Sequence, residues 1–214
     1  YFQYSVNFST PDSGTTSYLK SVSIDYLINN SAPNLIVSNP NNANIYSNNN
    51  ISLNFSVSDL ENNLNSCWYK FLEVNVSILN CKNTSFIVSG SGNYSLVVYA
   101  NDSLNYLNSS TINFTIDMIS PNVTINSPSA TTYTTSTILF NATSIDATTS
   151  VSSCWYTINS GTINQTLSKN GLTNFYNFTA SSIADNSYTA RFYCNDSANN
   201  VNNTENVLFT IDTS

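Results

Sequence analysis

Ile51-Ser52-Leu53-Asn54-Phe55-Ser56-Val57-Ser58 alternates one apolar residue with one polar residue. Successive side chains of an extended strand point to opposite faces, so this stretch predicts a strand with one buried and one wet side. Tyr94, Leu96, Val98 and Ala100 follow the same rule, as do Ile112, Phe114 and Ile116, and then Tyr188, Ala190, Phe192 and Cys194. Clusters of Asn, Ser, Gly and Pro, such as Asn39 to Asn44 and Ser89 to Asn93, separate these runs and read as turns. No apolar stripe of helical period is present, so helix is expected to be scarce.

The chain also repeats itself. Pro33-Asn34-Leu35-Ile36-Val37-Ser38-Asn39-Pro40 aligns with Pro121-Asn122-Val123-Thr124-Ile125-Asn126-Ser127-Pro128, and Ser66-Cys67-Trp68-Tyr69 with Ser153-Cys154-Trp155-Tyr156. Tyr99-Ala100-Asn101-Asp102-Ser103 matches Tyr193-Cys194-Asn195-Asp196-Ser197, and Phe114-Thr115-Ile116-Asp117 matches Phe209-Thr210-Ile211-Asp212. Four collinear matches define two related modules, residues 32–118 and 119–214, after an N-terminal segment, residues 1–31. Several short strands in roughly 90 residues is the arithmetic of an immunoglobulin-type sandwich, so the expected class is all-β, with tandem sandwiches. The N-terminal segment carries two further strand patterns, Phe2-Tyr4-Val6-Phe8 and Val22-Ile24-Tyr26-Ile28. Two strands alone are not stable in water, so this piece is expected either to pack on the first module or to complete a sheet of a neighbouring chain.

Composition narrows the function. Of 214 residues 8% are charged and none is His; five Lys and Arg face twelve Asp and Glu, for a net charge of −7. Five scattered cations cannot neutralise a phosphate backbone, which excludes a nucleic-acid binder. Without His, the usual serine and cysteine triads and most catalytic zinc sites are out of reach. The chain has 38 Asn and 60 Ser or Thr, so its polarity is carried by neutral groups, while 41% hydrophobic and 13% aromatic content is too much for a disordered tail. There is no run of 18 apolar residues to cross a membrane, and the chain opens at Tyr1 without a basic or apolar leader, so it reads as a piece of a longer protein.

Four cysteines in so polar a chain point to an oxidising compartment. Three pairings are open, and one bridge per module, Cys67–Cys81 and Cys154–Cys194, is the simplest; free buried thiols and a zinc site are the alternatives. Cys67 and Trp68 are neighbours on one strand and face opposite ways, as do Cys154 and Trp155. With the cysteines inward, Trp68 with Tyr99 and Trp155 with Tyr193 form an outer aromatic strip, an assembly surface or a platform for sugars. With the tryptophans inward, the bridges lie outside. The alternation allows both.

Asn-x-Ser/Thr sequons number 16, only modestly more than this composition gives by chance. Those at Asn54, Asn75, Asn93, Asn113, Asn141, Asn177 and Asn195 are the candidate glycosylation sites. Asn54, Asn113 and Asn141 sit at outward positions of strand patterns, where Asn is otherwise disfavoured, and glycans would solubilise a charge-poor surface; plain hydrogen-bonding Asn is the alternative. Acids recur between modules: Asp59 with Asp146, Asp102 with Asp196, Asp117 with Asp212. Asp117 and Asp212 end their modules, where a cation would rigidify a joint. Against this, each end offers one or two carboxylates, and Asx-turns account equally well for Asn-Asp-Ser. No cofactor is expected, calcium being the one cation these acids would suit. No pair of facing carboxylates suggests a glycosidase, and no enzyme is expected.

Pro-Asn-Val-Thr-Ile-Asn-Ser-Pro at 121–128, Ser-Cys-Trp-Tyr at 153–156, Tyr-Cys-Asn-Asp-Ser at 193–197 and Phe-Thr-Ile-Asp at 209–212 resemble the immunoglobulin-like repeats of large secreted prokaryotic surface proteins, archaeal surface-layer, adhesin and filament proteins above all. The resemblance covers about 85% of the chain. Tyr18 to Tyr26 looks like the last strands of a preceding sandwich. It implies a non-enzymatic extracellular structural protein at the cell surface, a repeating unit of a filament, stalk or surface layer. Its partners would be copies of itself, neighbouring domains and N-linked glycans. A sugar-binding adhesin module and a spacer in a secreted hydrolase are the rival readings.

Overall fold

The computed structural model describes residues 30–214; the strand patterns of Phe2–Phe8 and Val22–Ile28, and with them nearly all of the 1–31 segment, lie outside the described residues. The first module contains β1 (Asn34–Asn39), β2 (Ile45–Tyr46), β3 (Asn50–Ser58), β4 (Leu64–Phe71), β5 (Val74–Ile78), β6 (Thr84–Ile87), β7 (Gly92–Asp102) and β8 (Leu107–Ile116). The second contains β9 (Asn122–Ser127), β10 (Thr132–Tyr133), β11 (Ile138–Ile145), β12 (Val151–Thr157), β13 (Gln165–Lys169), β14 (Phe175–Ala180), β15 (Asn186–Asp196), β16 (Val201–Asn202) and β17 (Asn206–Ile211). Among the described residues the only helical element is a single 3-10 turn, Leu79–Cys81. The fold is all-β.

Alternation builds two separate cores. In β3, Ile51, Leu53 and Phe55 are buried between more exposed neighbours, and in β7 Leu96, Val98 and Ala100 face the same interior. Phe114 of β8 sits among Tyr46, Phe71, Phe86 and Tyr94, with ring centroids 6.0 to 6.4 Å away. The second core centres on Phe140, fully buried and stacked on Tyr156 at 3.8 Å, with Phe192 and Phe209 beside it. Each module starts its long strand with a tyrosine whose hydroxyl donates to a carbonyl four residues upstream: Tyr94 to Gly90 and Tyr188 to Ala184, both at 2.9 Å. This corner contact is a habit of immunoglobulin-type sandwiches.

The modules differ at one side. In the first, one sheet runs β1-β3-β6 and the other β2-β8-β7-β4-β5, and among the described residues no ladder joins them. In the second, β13 pairs with β12 through Cys154 opposite Leu167 and with β14 through Ser168 opposite Asn177, so its two layers form a continuous hydrogen-bonded path. The corresponding side of the first module is an open apolar groove of about 650 Å³, lined by Tyr69, Phe71, Val74, Val76, Phe86 and Ile87 among others. The β4–β5 hairpin turns through Leu72 and Glu73, both at positive φ (47° and 65°).

Candidate functional sites on the outer face and at the joint

Register decides the orientation that alternation left open. Cys67 lies opposite Ala100, and Cys154 opposite Cys194, on the core side; all four are buried. One residue on, Trp68 lies opposite Tyr99 and Trp155 opposite Tyr193, half-exposed on the outer face. The rings of each pair stack, with centroids 5.2 Å apart at 10° in the first module and 5.6 Å apart at 3° in the second. Stacking occupies one face of each ring. Trp68 also borders an open groove of about 670 Å³, shared with Asn75, Ser77, Asn80 and Asn101.

Two disulfides are present, Cys67–Cys81 and Cys154–Cys194, and no free cysteine remains. Cys154 reaches straight across to β15. In the first module Ala100 fills that position, and Cys67 bonds instead to Cys81 in the turn that follows β5.

The sequon asparagines fall into two groups. Asn75, Asn93 and Asn113 are exposed, whereas Asn54, Asn141, Asn177 and Asn195 are half-buried. Asn54 and Asn141, read as outward strand positions, are thus partly covered: Asn54 lies opposite Asn39 on β1, and Asn141 lies between Ser127 and Asn177 of the flanking strands. The side-chain oxygen of Asn195 accepts from the backbone N–H and the hydroxyl of Ser153 at 3.1 and 2.6 Å.

The joint is where the acids gather. Asp117, Asp146 and Asp196 each bring a carboxylate oxygen within 4.8 Å of the others, and Asp117 and Asp196 are completely buried. The counting that assigned one or two carboxylates to each module end is therefore corrected: Asp117 follows β8, Asp146 follows β11 and Asp196 ends β15, and the fold brings these three distant positions together. Asp212 is exposed and its Oδ1 accepts from Ser214 instead, which lowers its carboxyl below the ordinary range.

Each cluster member is first of all a turn-former. Oδ1 of Asp117 accepts from the N–H of Ile119, that of Asp146 from Thr148 and Thr149, and that of Asp196 from Ala198 and Asn200. Of their other oxygens, Asp117 Oδ2 accepts from the Thr149 hydroxyl at 2.6 Å and Asp196 Oδ2 from the Asn200 amide at 2.8 Å, and the same Thr149 hydroxyl reaches Asp146 Oδ1 at 3.4 Å. Oδ2 of Asp146 is shielded from solvent and has no partner. The linker is held from both sides. Tyr46 accepts from the Asp117 N–H, and Asn200 and Asn202 donate to the carbonyls of Asp117 and Pro121 at 2.8 and 3.0 Å.

The first module has the matching pocket. Asp59 and Asp102 form the same turns, and Asn108 donates to Pro33 as Asn202 does to Pro121. There the side-chain amide of Asn30 enters and donates to Asp102 Oδ2, while Asn63 donates to Asn30 at 2.7 Å. Burial pushes the Asp102 carboxyl up; the bonds from Asn30 and from the N–H groups of Tyr106 and Leu104 outweigh it and hold the group below the usual carboxylate range. Sequence reasoning passed over Asp146 and Asp196 as ligand candidates. Their recurrence at Asp59 and Asp102 is visible in the sequence, but Asx-turns account equally well for Asp102 and Asp196, and Asp146 carries no further signal there.

No protein-family model matches the chain, and no curated protein matches it in sequence. Solved structures do match in fold. The fibronectin(III)-like modules of Clostridium thermocellum CbhA superpose with a TM-score of 0.50 at 12% identity, over 84% of this chain and 94% of theirs. A titin segment gives 0.53 at 10% identity, over 86% of this chain and 68% of its own. The first five immunoglobulin domains of Sidekick-1 give 0.51 at 12% identity, over 86% of this chain and 39% of theirs. At these identities the likeness is one of fold: the described chain consists of sandwiches of the immunoglobulin and fibronectin III kind, set in series.

Proposed function

We propose that this chain is part of a non-enzymatic extracellular structural protein, a repeating unit of a cell-surface filament, stalk or surface layer. The observation that carries the reading is the joint. The linker between the sandwiches, Asp117 to Pro121, is five residues long, and hydrogen bonds from both modules grip it through Tyr46, Asn200 and Asn202, an arrangement suited to transmitting force along a row of domains. Disulfides pin each sandwich, which fits an oxidising exterior. Its partners on this reading are neighbouring domains of the same chain and further copies of it, and N-glycans occupy the exposed Asn75, Asn93 and Asn113 before the half-buried sites.

A second reading has its own observation: Trp68 beside a groove with Asn75, Ser77 and Asn101 has the chemistry of a sugar site. Electron microscopy of native cell-surface material, with this chain located by antibody, tests the first. Filaments or a lattice with an axial repeat set by the stacked sandwiches would support it. Separate flexible rods without lateral order, together with glycan binding lost on Trp68→Ala, would replace it with the second.

A further inference from the structure

Three carboxylates meeting in a closed joint raise a problem of charge. Buried anions need a counter-charge, a shared proton or a metal. Among the described residues the one ion pair is Lys70 with Glu73, so no cationic side chain pairs with Asp117, Asp146 or Asp196. The turns use one oxygen of each acid; the other accepts a single hydrogen bond at Asp117 and at Asp196, and at Asp146 it is sealed from solvent with no hydrogen bond among the described residues.

The first module serves as an internal comparison. Its pocket has the same two turn-forming acids, and a donor occupies it: the Asn30 amide on Asp102 Oδ2. In the second module the place of Asn30, in the segment just before the sandwich, is taken by the linker that carries Asp117. In the second pocket the Asn200 amide donates to the matching oxygen, Asp196 Oδ2, and Asp117 enters beside it as a third carboxylate. Asp59 Oδ2 is without a partner in the first pocket as Asp146 Oδ2 is in the second, so the third carboxylate is what sets the second apart, and three carboxylates drawn together call for a positive charge.

We propose that Asp117, Asp146 and Asp196 bind a calcium ion that ties the end of the first sandwich to two turns of the second. All the available ligand atoms are hard oxygens; the chain has no His and every cysteine is bonded, so zinc and copper lack their preferred ligands. The ligands come from three separate segments with water filling the remaining positions, which suits the larger and less demanding calcium ion better than magnesium. Thr149 and Asn200 donate to Oδ2 of Asp117 and of Asp196 and so fix the orientation of both carboxylates.

Calorimetric titration of the chelator-treated full chain with calcium chloride tests this, with thermal unfolding followed in parallel. The expected result is binding with a Kd of about 10⁻⁴–10⁻³ M. At ten times the Kd, unfolding of the second sandwich should move up by roughly 6–11 °C. Asp146→Asn keeps the turn acceptor and removes the unpartnered charge. It should weaken binding more than about tenfold, while leaving the calcium-free midpoint unchanged or higher. A residue needed only for its turn would behave in the opposite way, lowering the calcium-free midpoint and leaving the calcium response intact. Asp117→Asn provides the same test where Asp146→Asn fails to fold. No binding at roughly 10 mM calcium, an undiminished response in both variants, or an equal response to magnesium would overturn the assignment.

Discussion

Removing one disulfide at a time should unfold one sandwich and spare the other, by an amount the loop lengths set. Cys154 and Cys194 are 40 residues apart and Cys67 and Cys81 are 14 apart. In the chain-entropy model, opening these loops costs about 4 and about 3 kcal/mol respectively. Cys154 and Cys194 are both fully buried, so Cys154→Ala with Cys194→Ala also leaves small voids worth on the order of 1 kcal/mol. That total approaches the whole stability of a domain this size, about 5–15 kcal/mol. The protein carries its own reporters, since Trp68 and Trp155 lie one in each sandwich, each stacked on a tyrosine. Urea unfolding in Trp68→Phe and Trp155→Phe backgrounds therefore follows each module by its own emission. With m near 1–2 kcal/mol/M, the midpoint of the second module should fall by about 2.5–5 M on losing Cys154–Cys194, and that of the first should stay in place. A loss below about 1 kcal/mol would refute the entropic account. An equal shift of both tryptophan signals would refute the independence of the two cores.

Leu72 and Glu73 turn a two-residue hairpin at positive φ, where Asn and Gly fit best. Leu72→Asn with Glu73→Gly should raise the first module's stability by about 1–2 kcal/mol in urea unfolding, since the exposed Lys70–Glu73 pair it forfeits contributes little. Phe140→Ala should cost about 3–5 kcal/mol and register only in the Trp155 signal, because Phe140 contacts Tyr156, Phe192 and Phe209 and nothing of the first core. Burial pushes the Tyr156 hydroxyl up to about 12. The folded state thus holds this proton above pH 10, where the unfolded chain has released it. The second module's stability should accordingly be intact below about pH 10 and fall as pH rises toward 12, and Tyr156→Phe should flatten that fall in an alkaline unfolding series.

What the sequence reveals depends on whether a feature is local. Alternation at Ile51–Ser58 needs only a strand and one buried side, and the structure places Ile51, Leu53 and Phe55 inward accordingly. The orientation of Trp68 was not legible, because a period of two is symmetric and assigns Cys67 and Trp68 to opposite sides without naming the inner one. Register across from Ala100 and Tyr99 breaks the symmetry: small residues meet in the core and the large rings meet outside. Leu167 illustrates another gap. It is the only buried residue of β13, too little for a pattern, and its strand is held by ladders to two different sheets. The acid cluster is the least local feature of all. Asp117, Asp146 and Asp196 span 80 residues, and nothing in their neighbourhoods distinguishes them from ordinary turn-formers until the ends of β8, β11 and β15 are brought together.

The same non-local view accounts for the unequal disulfides. In the second module β13 hydrogen-bonds to both layers, so the strand that crosses between them is already held at each end, and the cystine is free to pair β12 with β15 inside one sheet. Among the described residues, in the first module β5 pairs only with β4 and β6 only with β3, and the segment between them, Leu79 to Asn83, crosses from one layer to the other without a ladder. Cys81 lies in that crossing, and its bond to Cys67 fastens it to the middle of β4. The side-chain oxygen of Asn83 adds a second fastening by accepting the N–H of Phe55 at 3.0 Å. A covalent bond thus does in one module what backbone pairing does in its twin. Opening Cys67–Cys81 should therefore loosen the crossing first and expose Phe86 and Tyr69, which meet across that gap at 5.6 Å. Opening Cys154–Cys194 leaves the layers stitched and acts on the sheet as a whole. Hydrogen exchange on the two double-alanine variants separates these outcomes: protection lost chiefly at β5 and β6 in the first, and spread evenly over the second module in the other.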